Sequence, residues 1–305
     1  MKAFLRSLVT ACCIAGAVQI FAVGALAPRL LPVKGRLVCE AMREMTLPAA
    51  PLLRLRNQDG SVHVRTHELA DIRIEADIQA HARDRGVEQT AQAYVASLIT
   101  VDATAEELSI VSEPGERPDE LDVSVDYHVF VPEGTDVAVH GANGNVWVSK
   151  GCGRVAVQGH NTDIEIVEAG GPVLAQSTNG RIRVLDAKAD TTLVTVNGNV
   201  YAHMDAGTLR AVTTNGAIVA HMNDPDSEKF DLQSKNGGIT LVMDDRCSAQ
   251  IDATTGRGVI KSDFTLSGVV GERTRQRLQA TIGAGHTKLI MNTLNGNIWI
   301  ARRQT

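Results

Sequence analysis

The chain has 305 residues and a formal charge of −5, with 44% hydrophobic and 21% charged residues. That balance belongs to a globular protein with enough apolar residues for one large core or two domains. The mild acidity speaks against a nucleic-acid partner, which would favour a clustered basic surface. Aromatics are only 3% and glycines number 27, which suits a stack of thin, similar layers of Val, Ile, Leu and Ala better than a Phe-rich sandwich.

Lys2 and Arg6 precede an uncharged stretch from Ser7 to Ala27. As a helix it would span roughly 31 Å, close to a bilayer core of about 30 Å. Three readings stay open for residues 1–27. They are an uncleaved signal anchor, a signal peptide cleaved after Ala25-Leu26-Ala27, and a lipoprotein signal ending at Cys12. Pro28 is a poor neighbour for cleavage, and the apolar run continues well past Cys12. Lys34 and Arg36 beyond the span blur the charge bias that would set orientation. With the N-terminus inside, all three readings put the rest of the chain outside the cytoplasm. Residues 28–51 then read as a linker. Cys39, Cys152 and Cys247 are scattered, with no metal-ligand spacing and no even disulfide framework, and read as buried free thiols.

The first strand signals follow. Leu53, Leu55, Val62 and Val64 alternate around Asp59-Gly60, which reads as an isolated early turn, and Ile72 and Ile74 lie on another strand. Val87, Ala91, Tyr94, Val95 and Leu98 share one helical face. A helix over 87–99 is expected to cover an open end or side of the stack, because bare strand edges invite aggregation.

From residue 137 a repeat takes over. Turns recur at Asn143-Gly144, Asn161-Thr162, Asn179-Gly180, Asn197-Gly198 and Asn215-Gly216, each 18 residues after the last. Later turns align at Asn236-Gly237, Thr255-Gly256 and Asn295-Gly296. A fixed period is an architectural rule. Period-two alternation on both sides of each turn gives two strands per repeat, each with one buried face. The position two before the turn is small throughout (Gly141, Gly159, Ser177, Thr195, Thr213, Ser234, Ala253, Thr293), so little room remains at the bend. Gly is expected to supply a positive φ at the corner.

A meander of hairpins and a parallel solenoid share this pattern. The charges favour the solenoid: Asp163 and Arg181, like Glu165 and Arg183, are one period apart, and only stacked coils put each pair side by side. The asparagines would then form an amide ladder. The expected fold is therefore all-β, a single-stranded parallel β-solenoid over 52–304. Its coils are irregular over 52–136 and regular over 137–260. A basic insertion with Arg273, Arg275 and Arg277 and the closing coils occupy 261–304. That insertion reads as a solvated loop, with anion or lipid-headgroup binding as the alternative.

"VDYHVFVPEGTDVAVHGANGNVWV" (125–148), the recurring "TNGRIRV"-type units and "ATIGAGHTKLIMNTLNGNIWI" (280–300) resemble the toastrack domain family, also called putative adhesins. The resemblance covers most of 50–302. It implies a right-handed solenoid in a bacterial protein, beside a membrane segment, with links to envelope stress or surface interaction. It implies no catalytic residues. Thr162 in place of Gly and the shifted "TTGRGVI" coil depart from the pattern.

The outward position four after each Asn carries Trp147, Glu165, Arg183, Tyr201, Val219, Thr240 and Trp299. Together with Asp163 and Arg181, the aromatic and charged members (Trp147, Glu165, Arg183, Tyr201) are the candidate ligand-binding residues, against a reading as ladder packing and ordinary ion pairs. Trp299 can also serve as a cap on the last coil. Asp163, Glu165, Arg181 and Arg183 could imitate a carboxylate cluster of polysaccharide-cleaving β-helices, but arginine-paired carboxylates lack the separated environments that acid–base catalysis needs. His203-Met204 and His221-Met222, one period apart, suit copper chemically. Alternation instead puts Met204, Met222 and Met243 in the core, and no metal or other cofactor is expected. The expected function is a non-enzymatic envelope module for interaction or adhesion, with a purely structural spacer as the alternative. Its partner would be an envelope protein, glycan or lipid, with membrane association through the N-terminal segment and self-association left open.

Overall fold

The computed structural model describes residues 29–33, 36–82, 87–112, 117–268 and 276–303. The membrane-anchor or signal segment expected at 1–27, and Arg273 and Arg275 of the basic insertion, lie outside the described residues. Among the described residues no helix is long and apolar enough to cross a membrane. The chain divides into two compact units, Met1–Gly153 and Arg154–Thr305.

The first unit contains β1 (Arg29–Val33), β2 (Arg36–Pro48), β3 (Leu52–Asp59), β4 (Val62–His67), β5 (Asp71–Ala82), α1 (Glu88–Ser97), β6 (Thr100–Ala103), β7 (Glu107–Ser112), β8 (Leu121–Pro132) and β9 (Asp136–Val148). The described residues of 28–51 are thus no linker: β1 and β2 form an antiparallel pair, and β2 continues antiparallel along β5. Alternation along β5 buries Ile72, Ile74, Ala76, Ile78, Ala80 and Ala82, which gives this layer a core face. α1 packs on β2 and β5 with Ala91 and Val95 buried. The Arg43 guanidinium reaches back to the carbonyls of Val95 and Ala96 in the last turn, where a helix needs donors from outside itself. Nor is the Asp59-Gly60 turn isolated. β3 lies between β7 and β9, and β4 between β8 and β9, so Asp59 faces Asn143 and accepts its amide hydrogen at 2.6 Å.

The second unit contains β10 (Val155–Val167), β11 (Val173–Asn179), β12 (Ile182–Ala187), β13 (Thr191–Asn197), β14 (Val200–Met204), β15 (Leu209–Asn215), β16 (Ile218–Met222), β17 (Lys229–Ser234), β18 (Ile239–Met243), β19 (Ala249–Thr255), β20 (Ile260–Ser262), β21 (Arg277–Ile282), β22 (Thr287–Thr293) and β23 (Ile298–Arg302). Its parallel pairing settles solenoid against meander. Val155 faces Val173, Val173 faces Thr191, and Thr191 faces Leu209, so successive coils stack in register. The core is a pair of facing columns, one running through Ala175, Leu193 and Ala211 and the other through Ile182, Val200 and Ile218, all buried.

The coils do not follow chain order to the end. β22 lies between β17 and β19, and β23 between β18 and β20. β21 then returns antiparallel along β19. The corner of the β19–β20 coil is also displaced from Thr255-Gly256. Thr255 faces Thr293 and Ile260 faces Ile298, which makes Arg257-Gly258 the equivalent of Asn295-Gly296.

Three sets of bonds fix the corner. Asparagine amides run as a ladder from Asn295 through Asn236, Asn215, Asn197 and Asn179 to Asn161, at 2.7–2.9 Å. The small residues two before the turn are chiefly hydroxyl donors. Ser177, Thr195, Thr213 and Ser234 each bond the carbonyl of Thr162, Gly180, Gly198 and Gly216 in the neighbouring coil, at 2.8–3.0 Å. Asn57 takes that role in the first unit, donating to Val125 O at 2.8 Å.

The glycines are required for a different reason from the one the turn chemistry suggests. Gly144 has a left-handed φ of 128°, but Gly180, Gly198, Gly216, Gly237 and Gly296 lie outside that region. A Cβ on Gly198 or Gly216 would instead overlap the carbonyl of the corner glycine one coil away. Close stacking excludes the side chain.

Candidate functional site

The outward side chains of β10, β12 and β14 inherit the coil register. Glu165 pairs with Arg183 at 3.2 Å, and Arg183 in turn lies over the Tyr201 ring, 5.8 Å from its centroid. His221 follows at 5.4 Å from Tyr201, and His203 lies edge-on to His221 at 5.6 Å. These residues form a polar, aromatic strip on rigid parallel strands. Burial, with His203 and Arg303 beside it, holds His221 below the usual histidine range, so it is neutral at pH 7.

Asp163 pairs with Arg181 at 3.1 Å and also accepts the Arg181 backbone N–H at 2.7 Å. Asn199 accepts from Ala217 N, and Asn297 from Val259 N, at the same place in their coils. The first role of Asp163 is therefore to hold the next coil, a role an amide fills equally well.

Trp147, 48% exposed, belongs to the first unit. It packs on His63, 5.4 Å between centroids, and His63 stacks on His128 at 5.0 Å. Burial, then His128 and Arg65, lower the His63 pKa against a smaller opposing effect of Asp126. The candidate residues thus fall into separate groups, with Trp147 in a histidine column of its own. Trp299 caps no end of the stack: it lies between Thr240 and Lys261, and its Nε1 donates to Asp263.

Beside the strip lies a group that periodicity did not expose. Met204, Met222 and Met243 are fully buried, as alternation predicts, so His203 and His221 point outward. At the end of β12 the register with β14 slips between Val184 and Ala187, and Asp186 adopts a left-handed φ of 54°. That bulge brings Asp186 to within 2.5 Å of His203 Nδ1. On the other side of the ring, Asn223 Nδ2 lies 2.9 Å from Nε2 and donates to Asp205 at 2.8 Å, while its Oδ1 accepts from Arg303. This fixes the tautomer: Nε2 accepts, and Nδ1 carries the hydrogen donated to Asp186. The sequence signal was the recurrence of a polar residue two after each histidine, Asp205 and Asn223. Asp186 had none.

The Toastrack DUF4097 family matches residues 119–301. No curated protein matches the chain significantly. Among solved structures, a putative adhesin from Bacteroides fragilis is 11% identical, with 88% of this chain and 98% of that one covered at a TM-score of 0.39. A putative adhesin from Parabacteroides merdae is 9% identical, with 87% and 96% covered and a TM-score of 0.38. A putative cell adhesion protein from Clostridium sporogenes is 11% identical, with 86% and 100% covered and a TM-score of 0.24. The family match spans more than half of the chain and includes every regular coil of the second unit: this protein is a member of the Toastrack DUF4097 family.

Proposed function

We propose that this toastrack protein is a non-enzymatic interaction module of the adhesion type, held at the cell envelope by its N-terminal segment. The observation that carries the reading is the Glu165–Arg183–Tyr201–His221 strip, in which a half-buried aromatic ring sits between a guanidinium and an imidazole on stacked strands. Aromatic and arginine side chains on a rigid support are the groups that dominate binding surfaces. The apolar stretch Ser7–Ala27 supports an envelope location with the coils outside the cytoplasm. Participation in envelope stress sensing belongs to the same reading, as the consequence of ligand occupancy.

The test uses the full-length protein in detergent, offered to source-cell membranes, cell-wall glycan and soluble envelope proteins at low and high salt. Retention that survives salt, and that falls about tenfold in Tyr201→Ala, supports a binder and names its ligand class. Retention indifferent to Tyr201→Ala, Arg183→Ala and Trp147→Ala, or none in any fraction, leaves a structural spacer.

A further inference from the structure

We propose that Asp186, His203 and Asp205 form a binding site for a divalent transition-metal ion of the zinc class. The proposal stands apart from the interaction reading. The three residues offer one imidazole nitrogen and two carboxylate oxygens, all within 4.8 Å of one another. Nitrogen and oxygen donors of this kind suit zinc, whose open sites use three protein ligands and leave further positions to water or an incoming group. The donors come from neighbouring coils, so the set exists only in the folded stack: Asp186 is the last residue but one of β12, His203 lies near the end of β14, and Asp205 directly follows that strand.

The local backbone is irregular at this one donor. β14 and β16 stay in register through His203 and His221, whereas the β12–β14 pair slips just where Asp186 turns its carboxylate to His203. The group is also electrostatically incomplete. The single hydrogen on His203 Nδ1 serves Asp186, Asp205 receives only a neutral amide, and the guanidinium of Arg303 contacts Asn223 rather than either carboxylate. A dication would neutralise both carboxylates directly.

The proton balance is simple. The ion takes the place of the Nδ1 hydrogen between His203 and Asp186, and the ring takes up a hydrogen at Nε2 from solvent while the Nδ1 proton leaves to solvent. Asn223 then turns its amide over so that Oδ1 accepts from Nε2–H, releasing Arg303. Orienting a ligating imidazole through its second nitrogen is the usual office of such a neighbour.

The experiment is a zinc titration of the full-length protein in detergent after chelator treatment, followed by calorimetry and by the nitrogen-15 shifts of the His203 ring. One equivalent of zinc should bind, and the ring should switch from the Nδ1–H to the Nε2–H tautomer. Asp186→Asn keeps a residue type that tolerates the left-handed backbone. It, Asp205→Asn and His203→Gln should each weaken binding at least tenfold, while His221→Gln should leave it within twofold. Circular dichroism of the metal-free variants separates a lost ligand from a lost fold, and Asp205→Asn, free of the strained backbone, decides if Asp186→Asn unfolds. Absence of stoichiometric binding, an unchanged tautomer, or wild-type affinity in Asp186→Asn and Asp205→Asn would overturn the site.

Discussion

Replacing Gly198 tests how the coils are held at their spacing. A Cβ at this position would overlap the Gly180 carbonyl and crowd Arg181 N, both backbone atoms of the adjacent coil that cannot swing aside. Relief requires the corners to part, and overpacking of this kind costs about 1–3 kcal/mol. Parting them also stretches the Thr195 bond to Gly180 O, 3.0 Å, and the Asn197 bond to Asn179, 2.7 Å. At about 1 kcal/mol for each bond, Gly198→Ala should cost about 3–5 kcal/mol. With a urea dependence of about 1–3 kcal/mol/M, the midpoint should fall by roughly 1–5 M. The assay is urea unfolding followed by Trp299 fluorescence in a Trp147→Phe background, so that the signal comes from the second unit alone. The decisive comparison is Gly198→Asn. If the corner needed a left-handed backbone, Asn would tolerate it and rescue most of the loss; if the corner needs bare stacking space, Asn must be at least as damaging as Ala. Gly134 supplies the opposite control, with a left-handed φ of 80° and nothing within 4 Å of an added Cβ. There Asn should cost less than Ala. A Gly198→Asn protein with the wild-type midpoint would refute the stacking argument.

Thr195→Val keeps the shape but leaves the Gly180 carbonyl without its donor. It should lower stability by about 1–3 kcal/mol in the same urea assay, with Thr195→Ser close to wild type; equal stability of Val and Ser would remove the hydroxyl from the account. Asp163→Ala should cost more than Glu165→Ala, because only Asp163 also accepts a backbone N–H, whereas the exposed Glu165–Arg183 pair is worth at most about 1 kcal/mol. Asp163→Asn should recover most of the difference, as Asn199 does in its own coil; a loss equal to that of Asp163→Ala would mean the charge is what matters. His63, His140 and His221 all have folded pKa values lowered from 6.5, chiefly by burial. The unfolded chain then binds more protons than the folded one near that pH, so this stability is complete above about pH 6.5 and is lost as pH falls through the lowered values. The melting temperature should therefore drop between about pH 7.5 and pH 5.5, and the triple variant His63→Asn, His140→Asn, His221→Asn should flatten the profile. An unchanged slope in that variant would place the acid sensitivity elsewhere.

Much of the fold is legible in the sequence, because stacked coils tolerate neither a drift in length nor a break in alternation. The fixed step placed Val157, Ala175 and Leu193 in one column and put Met204, Met222 and Met243 inside, where they lie. What escaped was decided by pairing between distant segments. Nothing local says that the coil ending in Ile298–Arg302 inserts between two earlier ones. A hint was present all the same: Asn295 can extend an amide ladder from Asn236, whereas Arg257 cannot, so ladder continuity would have joined 236 to 295 directly. In the first unit Asp59 offered the same hint toward Asn143. The corner glycines misled because Asn-Gly carries two physical meanings, a positive φ and a bare close approach, and sequence does not separate them. At the candidate site the Asp163–Arg181 and Glu165–Arg183 pairs followed from spacing alone. Asp186 did not, since a bulge moves a residue off the period that would have revealed it.

These bonds divide the labour within each coil. Corner hydroxyls, amides and bare glycines fix the stacking distance, near the roughly 4.8 Å of adjacent strands, and the inward columns fill the core. Apart from Asp163, Asn199 and Asn297, which accept a backbone N–H of the next coil, the outward side chains described above take no part in either, so the strip through Arg183 and Tyr201 can change without moving the scaffold. The fixed distance still governs what such a strip can be. Residues one coil apart are held within reach of an ion pair or a ring stack, whatever their identity, as Glu165–Arg183, Arg183–Tyr201 and Tyr201–His221 show in succession. A ligand that binds there meets groups already satisfied by their neighbours and ordered in advance, so little side-chain entropy remains to be lost on binding. It must instead displace an ion pair or a stack to make its own contacts. Recognition on this face therefore depends on ring and guanidinium surfaces left half-open, among them the Tyr201 ring between Arg183 and His221.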